Sequence, residues 1–311
     1  MELFGLESIA DAAGQEAVSV ELSPSMEQLD GFTRGTGRIQ TEPDVWVRFW
    51  ILTPAGAGPF PLALTPHGHE NGDEYAGVWD TIAARKKIER TDQDVAVQAA
   101  KRGFLAIAPA TRGMGNNPSS YRIRDVAGKV GRDCRCHAWQ VALAGRTLIG
   151  ERVWDLMRLI DWALTLPEVA DGSVLMLGNS GGGMATLHAA ACDERIGVAV
   201  PCCAFNNYIS PRGTMRHCPC NVVPGMLTFG EYWDVAGLIA PRMLLTVNGL
   251  HDALHPVTEV DHAVSRLRAI YGVAGCGDHY EHEYGPEGHR FYGSIMWPWI
   301  ENALRAGRPS A

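Results

Sequence analysis

Ser173-Val174-Leu175-Met176-Leu177-Gly178-Asn179-Ser180-Gly181-Gly182-Gly183-Met184-Ala185-Thr186 decides how the rest of the chain is read. The apolar, β-branched run at its start predicts a buried strand. The small residues at its end lead into Leu187-His188-Ala189-Ala190-Ala191, which predicts a helix. Between the two lies Gly178-x-Ser180-x-Gly182, the pattern of a nucleophile elbow in the strand-to-helix setting that the pattern requires. A serine at such a turn sits in a strained backbone conformation, and its neighbours must lack side chains to avoid a clash. The turn lifts Oγ clear of the sheet. It also aims the first N–H groups of the helix at one point, where developing negative charge can be stabilised.

Working outward, apolar segments alternate strand, helix, strand. Residues 44–52 and 60–65 predict strands, 94–102 a helix ended by Gly103, and 104–109 a strand. Residues 146–164 carry Ile149, Val153, Leu156, Met157, Ile160 and Ala163 at helical spacing, and Pro167 follows. After the elbow helix come a strand at 195–201, a short helix at 234–239, a strand at 243–247, a helix at 257–271, a strand at 279–284 and a closing helix at 294–305. This alternation predicts an α/β chain with a doubly wound, mostly parallel sheet and helices on both faces. Residues 1–40 show little period and read as an N-terminal extension. Residues 41–311 read as a single domain with an insertion at about 204–232. Residues 73–92 and 116–138 read as polar connections.

Ligands of such sheets sit at the carboxyl ends of strands. Two further residues at predicted strand ends complete a catalytic set with Ser180. Asp252 follows the 243–247 strand, where a carboxylate can accept an imidazole N–H and fix its tautomer. His289, beside Gly288, follows the last strand. Ser180, Asp252 and His289 stand in the Ser–acid–His chain order of α/β-hydrolases. For the oxyanion hole the expected donors are the backbone N–H groups of Gly181 and His69, with Gly68 allowing close backbone approach in Pro66-His67-Gly68-His69.

The 311 residues are 46% hydrophobic and 20% charged, with a net charge of −8. That mixture can bury a full core. With no basic tract, nucleic acid and anionic membrane surfaces are poor partners, and no apolar run approaches the roughly 18 residues of a membrane span. The start of the chain lacks a basic, apolar leader, so the expected location is the cytoplasm with reduced thiols. Eight cysteines in a chain this long do not read as a disulfide framework. Cys134-x-Cys136-His137 and His217-Cys218-x-Cys220 are rich in donors, but a one-residue gap is a poor match to zinc spacing. The expectation is therefore no metal and no cofactor, with the thiols lining the core.

His67-Gly68-His69-Glu70, Arg112-Gly113-Met114-Gly115, residues 145–155, the elbow, His217–Asn221, Leu238–Arg242 and Gly288–Phe291 together resemble the acetyl-xylan-esterase-like, dienelactone-hydrolase-related branch of the α/β-hydrolases. The resemblance spans roughly residues 40–300. It implies a serine esterase acting on acetylated carbohydrate or other small esters. Dienelactone hydrolases carry a cysteine nucleophile, and Ser180 departs from that pattern. The function expected is cleavage of a short-chain or acetyl carboxylic ester through an acyl-enzyme, with a small-molecule ester as partner. The alternatives are a peptidase or amidase on the same residues, or a non-catalytic binding protein on a hydrolase scaffold. The sequence leaves the acyl and alcohol groups and the oligomeric state open.

Overall fold

The computed structural model describes residues 1–14, 18–114, 123–124, 130–131, 134–215 and 217–306. Its centre is a nine-stranded sheet: β1 (Val20–Leu29), β2 (Phe32–Glu42), β3 (Val45–Pro54), β4 (Leu62–Leu64), β5 (Leu105–Pro109), β6 (Val174–Asn179), β7 (Ile196–Cys202), β8 (Met243–Gly249) and β9 (Tyr280–Gly285). The spatial order is β1-β2-β3-β5-β4-β6-β7-β8-β9. From β5 to β9 every pairing is parallel, whereas β1, β2, β3 and β5 pair antiparallel.

Eleven helices surround the sheet among the described residues. They are α1 (Leu6–Ala13), α2 (Gly72–Tyr75), α3 (Ile82–Thr91), α4 (Val95–Ala100), α5 (Cys134–Leu143), α6 (Leu148–Ala163), α7 (Gly181–Cys192), α8 (Met226–Phe229), α9 (Tyr232–Gly237), α10 (Val257–Val273) and α11 (Gly293–Ala306). None is long and apolar enough to cross a membrane.

Side chains alternate along a strand, so each strand feeds two cores. Leu64, Ile107, Met176, Ala199 and Leu244 point to one face, under α6, α7 and α10, where Ile149, Val153, Leu187, Val260 and Leu267 meet them. Ala63, Ala106, Leu175, Leu177, Val200 and Val247 point to the other, under α4 and α11, against Val95, Ala99, Trp297 and Ile300. Burial on both faces explains the unbroken apolar run of β6, as expected of parallel strands. Thr147 starts α6 by accepting the Gly150 N–H at 3.0 Å.

Two stretches differ from the sequence expectation. Residues before 41 form α1, β1 and β2, so strands of the central sheet stand where an extension is expected. β1 is an edge strand with most side chains in solvent and Pro24 in its middle, so it carries no apolar alternation. Residues 73–92 hold α3, in which only Ile88 is buried; without an apolar stripe the helix leaves no periodic trace. Most of the connection expected over 116–138, and Gly115, lie outside the described residues.

The strand order reverses between β4 and β6. β4 is followed across the sheet by β5 on one side, and the chain then returns to place β6 on the other. A crevice opens at the carboxyl ends of strands where such a reversal occurs. The loops after β4 and β6 meet there.

Candidate active site

Ser180 stands between β6 and α7 with φ 56° and ψ −121°. This left-handed conformation is unfavourable for any residue with a Cβ. Its N–H donates to Cys202 O at 2.8 Å, and its carbonyl accepts from Met184 N at 2.9 Å, so both sides of the turn are held. The glycines flanking it are required by space. A Cβ on Gly178 or Gly182 would overlap the carbonyl oxygen of Pro66 in the loop after β4. On Gly68 it would lie 2.9 Å from Gly181 N, so the Gly68 backbone closes over the amide expected to donate to an oxyanion. The strain at Ser180 has a measurable consequence. Ser180→Gly is expected to unfold at a higher temperature than Ser180→Ala, by about 1 kcal/mol or roughly 2–4 °C in Tm; calorimetry of the two variants checks this.

Asp252 and His289 lie at the ends of the neighbouring strands β8 and β9. Leu250 N–H donates to Gly285 O at 2.9 Å and His251 N–H to Glu287 O at 2.8 Å, lacing the two loops together. Asp252 is wholly buried as a side chain, and its Oδ2 accepts His289 Nδ1 at 2.7 Å. Its Oδ1 accepts the Leu254 N–H at 2.9 Å. His289 keeps 26% of its side chain exposed. With Nδ1 engaged, Nε2 is the nitrogen left for chemistry.

The charges reinforce each other. Burial pushes the Asp252 carboxyl up, but hydrogen bonds from His255 and His289 outweigh it and hold the group well below the usual carboxylate range. Burial works against a charged His289, but the hydrogen bond to Asp252 and the negative charge of that carboxylate prevail. His289 therefore titrates above the usual histidine range.

Three features go beyond the sequence reading. His255 Nδ1 also reaches Asp252 Oδ2, at 3.1 Å, so one carboxylate oxygen serves two imidazoles. The sequence signal is there in retrospect, three residues after Asp252. Glu70 Oε1 accepts Asn179 Nδ2 at 3.0 Å, binding the loop after β4 to the residue before Ser180. The thiols of Cys202 and Cys203 each donate to Arg290 O at 3.3 Å, so the residue after His289 is tied to the strand that receives the Ser180 N–H.

The two histidines of the loop after β4 part company. His67 is buried, and its Nε2 accepts the Thr111 N–H at 3.0 Å, a structural role that joins the ends of β4 and β5. The His69 imidazole instead meets Cys134, Cys218 and Cys220. Three of the thiols expected to line the core come together here. The two donor-rich stretches contribute unequally, and the fold gathers three sulfurs and one imidazole. His137 is not among them; its Nε2 lies 3.4 Å from Glu151.

Arg112 places the loop after β5. Buried, it binds both oxygens of Asp155 at 2.6 Å and pairs with Glu42 at 2.8 Å. Two residues on, Met114 packs against Gly181: a Cβ on that glycine would lie 2.5 Å from Met114 Cε.

No family model matches the chain. In sequence it is similar to "Putative hydrolase YtaP" of Bacillus subtilis (strain 168), 29% identical over 236 residues that make up 75% of this chain and 74% of that protein. In structure it is similar to "Methylesterase BT1017", with a TM-score of 0.69 and 20% identity over 98% of this chain. The chain spans 60% of that protein's length. It is also similar to a "putative acetyl xylan esterase" from Bacteroides fragilis NCTC 9343, with a TM-score of 0.71 and 17% identity over 96% of this chain and 86% of that one. Together with the strand order and the two-sided core, these likenesses make the chain an α/β-hydrolase by fold.

Proposed function

We propose that the chain is a serine esterase that cleaves a short-chain or acetyl carboxylic ester, an ester of a carbohydrate among them. The observation that carries this reading is the buried Asp252 hydrogen-bonded to His289 Nδ1, at the same end of the sheet as a strained Ser180. The resemblance to a methylesterase and an acetyl xylan esterase supports ester chemistry over amide chemistry.

The reaction is acyl transfer to water. Ser180 Oγ attacks the ester carbonyl carbon, and its proton passes to His289 Nε2. The carbonyl oxygen becomes an oxyanion facing the N–H groups of Gly181 and His69, where one lost donor would cost roughly 3 kcal/mol. The tetrahedral adduct collapses, the C–O bond to the alcohol breaks, and the alcohol leaves with the proton from His289. Water then attacks the acyl-enzyme and gives a proton to His289; the second adduct collapses, the acyl–Oγ bond breaks, His289 returns the proton to Ser180 Oγ, and the carboxylic acid departs. Asp252 keeps His289 in the correct tautomer and stabilises the imidazolium in both steps.

Hydrolysis of p-nitrophenyl acetate across pH tests the reading. The base works only when neutral, and the raised His289 pKa keeps it protonated to higher pH than an ordinary histidine. kcat/KM is expected to fall as pH drops through a value above about 6.5. An enzyme with no ester turnover, or with an acid limb below that value, contradicts it.

A further inference from the structure

His69 Nε2 lies 3.3 Å from Cys134 Sγ and 3.9 Å from Cys220 Sγ, and Cys134 Sγ lies 3.4 Å from Cys218 Sγ. All four donor atoms fall within 4.8 Å of one another. We propose that His69, Cys134, Cys218 and Cys220 hold one zinc ion in a tetrahedral structural site, distinct from Ser180, Asp252 and His289.

The spacing fits. Zinc bonds of about 2.3 Å to sulfur and about 2.0 Å to nitrogen put tetrahedral ligands roughly 3.5–3.8 Å apart, and the observed separations bracket that range. A disulfide would need sulfurs about 2.05 Å apart, and all three cysteines are thiols. Three soft sulfurs and an imidazole select zinc over magnesium or calcium. Four donors this close enclose a single ion and leave no room for a bridged iron–sulfur cluster.

The surroundings fit as well. Three thiolates around a divalent ion leave one net negative charge. Buried Arg152 stands beside it: its Nη1 donates to Asn221 Oδ1 at 3.4 Å, and the Cys220 thiol reaches that same oxygen at 3.5 Å. No carboxylate pairs with Arg152 among the described residues, and its Nη2 has no hydrogen-bond partner among them. Its charge is thus free to balance the site, as outer groups around metals do.

The ligands come from segments that share little other core. His69 follows β4, Cys134 opens α5, Cys218 precedes the short turn Pro219–Asn221, and Cys220 lies within it. Among the described residues, Met114, Cys134, Val141, Leu148 and Cys220 form a small buried cluster around them, with Ala138 and Cys218 packed against it. A metal ion can supply the cohesion that so few apolar groups cannot. The imidazole of His69 would then be anchored on the ion, while its backbone N–H remains with the oxyanion donors.

The test is the metal content of the full chain, expressed with zinc and purified under reducing conditions, read by plasma mass spectrometry. One zinc per chain is expected. The double variant Cys218→Ser/Cys220→Ser is expected to lose stoichiometric zinc. Should that variant fail to fold, the unsubstituted chain decides. With zinc replaced by cobalt(II), it should show intense tetrahedral d–d absorption and thiolate-to-cobalt charge transfer. A chain that neither retains zinc nor takes up cobalt when reduced overturns the site. So does stoichiometric iron in place of zinc, or an intact mass lighter by two hydrogens from a Cys134–Cys218 disulfide.

Discussion

Ser180→Ala is expected to lower kcat for p-nitrophenyl acetate by at least about four orders of magnitude while leaving the circular dichroism spectrum unchanged. The variant loses only Oγ. Alanine keeps the Cβ and thus the same backbone strain, and the two backbone hydrogen bonds that frame the turn involve no side-chain atom. The fold around it is held by the contact of Gly178 and Gly182 with Pro66, which the substitution does not touch. Covalent labelling by a fluorophosphonate should disappear in parallel. A variant that still turns over the ester at near the original rate would remove Ser180 from the mechanism, and an unlabelled original chain would point to a binding protein on this scaffold.

The second large effect is expected at Asp252. Asparagine fits the same space, but its amide offers one acceptor oxygen where the carboxylate offers two, and it brings no charge. Leu254 N–H, His255 and His289 all draw on that carboxylate. Asp252→Asn is therefore expected to cut kcat by roughly three to four orders of magnitude, chiefly because His289 no longer presents Nε2 as the basic nitrogen. The acid limb of the pH profile should also move down, since the hydrogen bond and charge that raise the His289 pKa are weakened. A smaller loss with an unmoved limb would show that another group positions the imidazole. His255→Gln in the same background would reveal whether His255 takes over.

Much of this architecture was legible in the residues because the parallel strands are buried on both faces. β6, β7 and β8 are buried and mainly apolar along their length, and α6 and α10 carry apolar stripes at helical spacing. The candidate triad was legible because each member follows a strand in a fixed chain order. What escaped notice has no local signature. β1 is held by its pairing with β2, and β2 by its pairing with β3, neither with an apolar alternation that the sequence displays. The zinc donors come from three places along the chain, and a Cys-x-Cys gap carries little meaning until His69 and Cys134 stand opposite it. His255 and Glu70 act through contacts that only the folded loops create.

β1 deserves a last consequence, as the open border of the sheet. An unpaired strand edge can recruit another chain and seed aggregation. Here the border is spoiled in three ways. Pro24 removes a donor, the pairing with β2 slips between Leu22 and Met26, and Glu21 and Glu27 are drawn back onto Arg38 and Arg34. At the opposite border, β9 turns Glu281 and Glu283 to solvent. Neither side offers a straight, uncharged template, so the sheet can stay broad without inviting a neighbouring molecule to extend it.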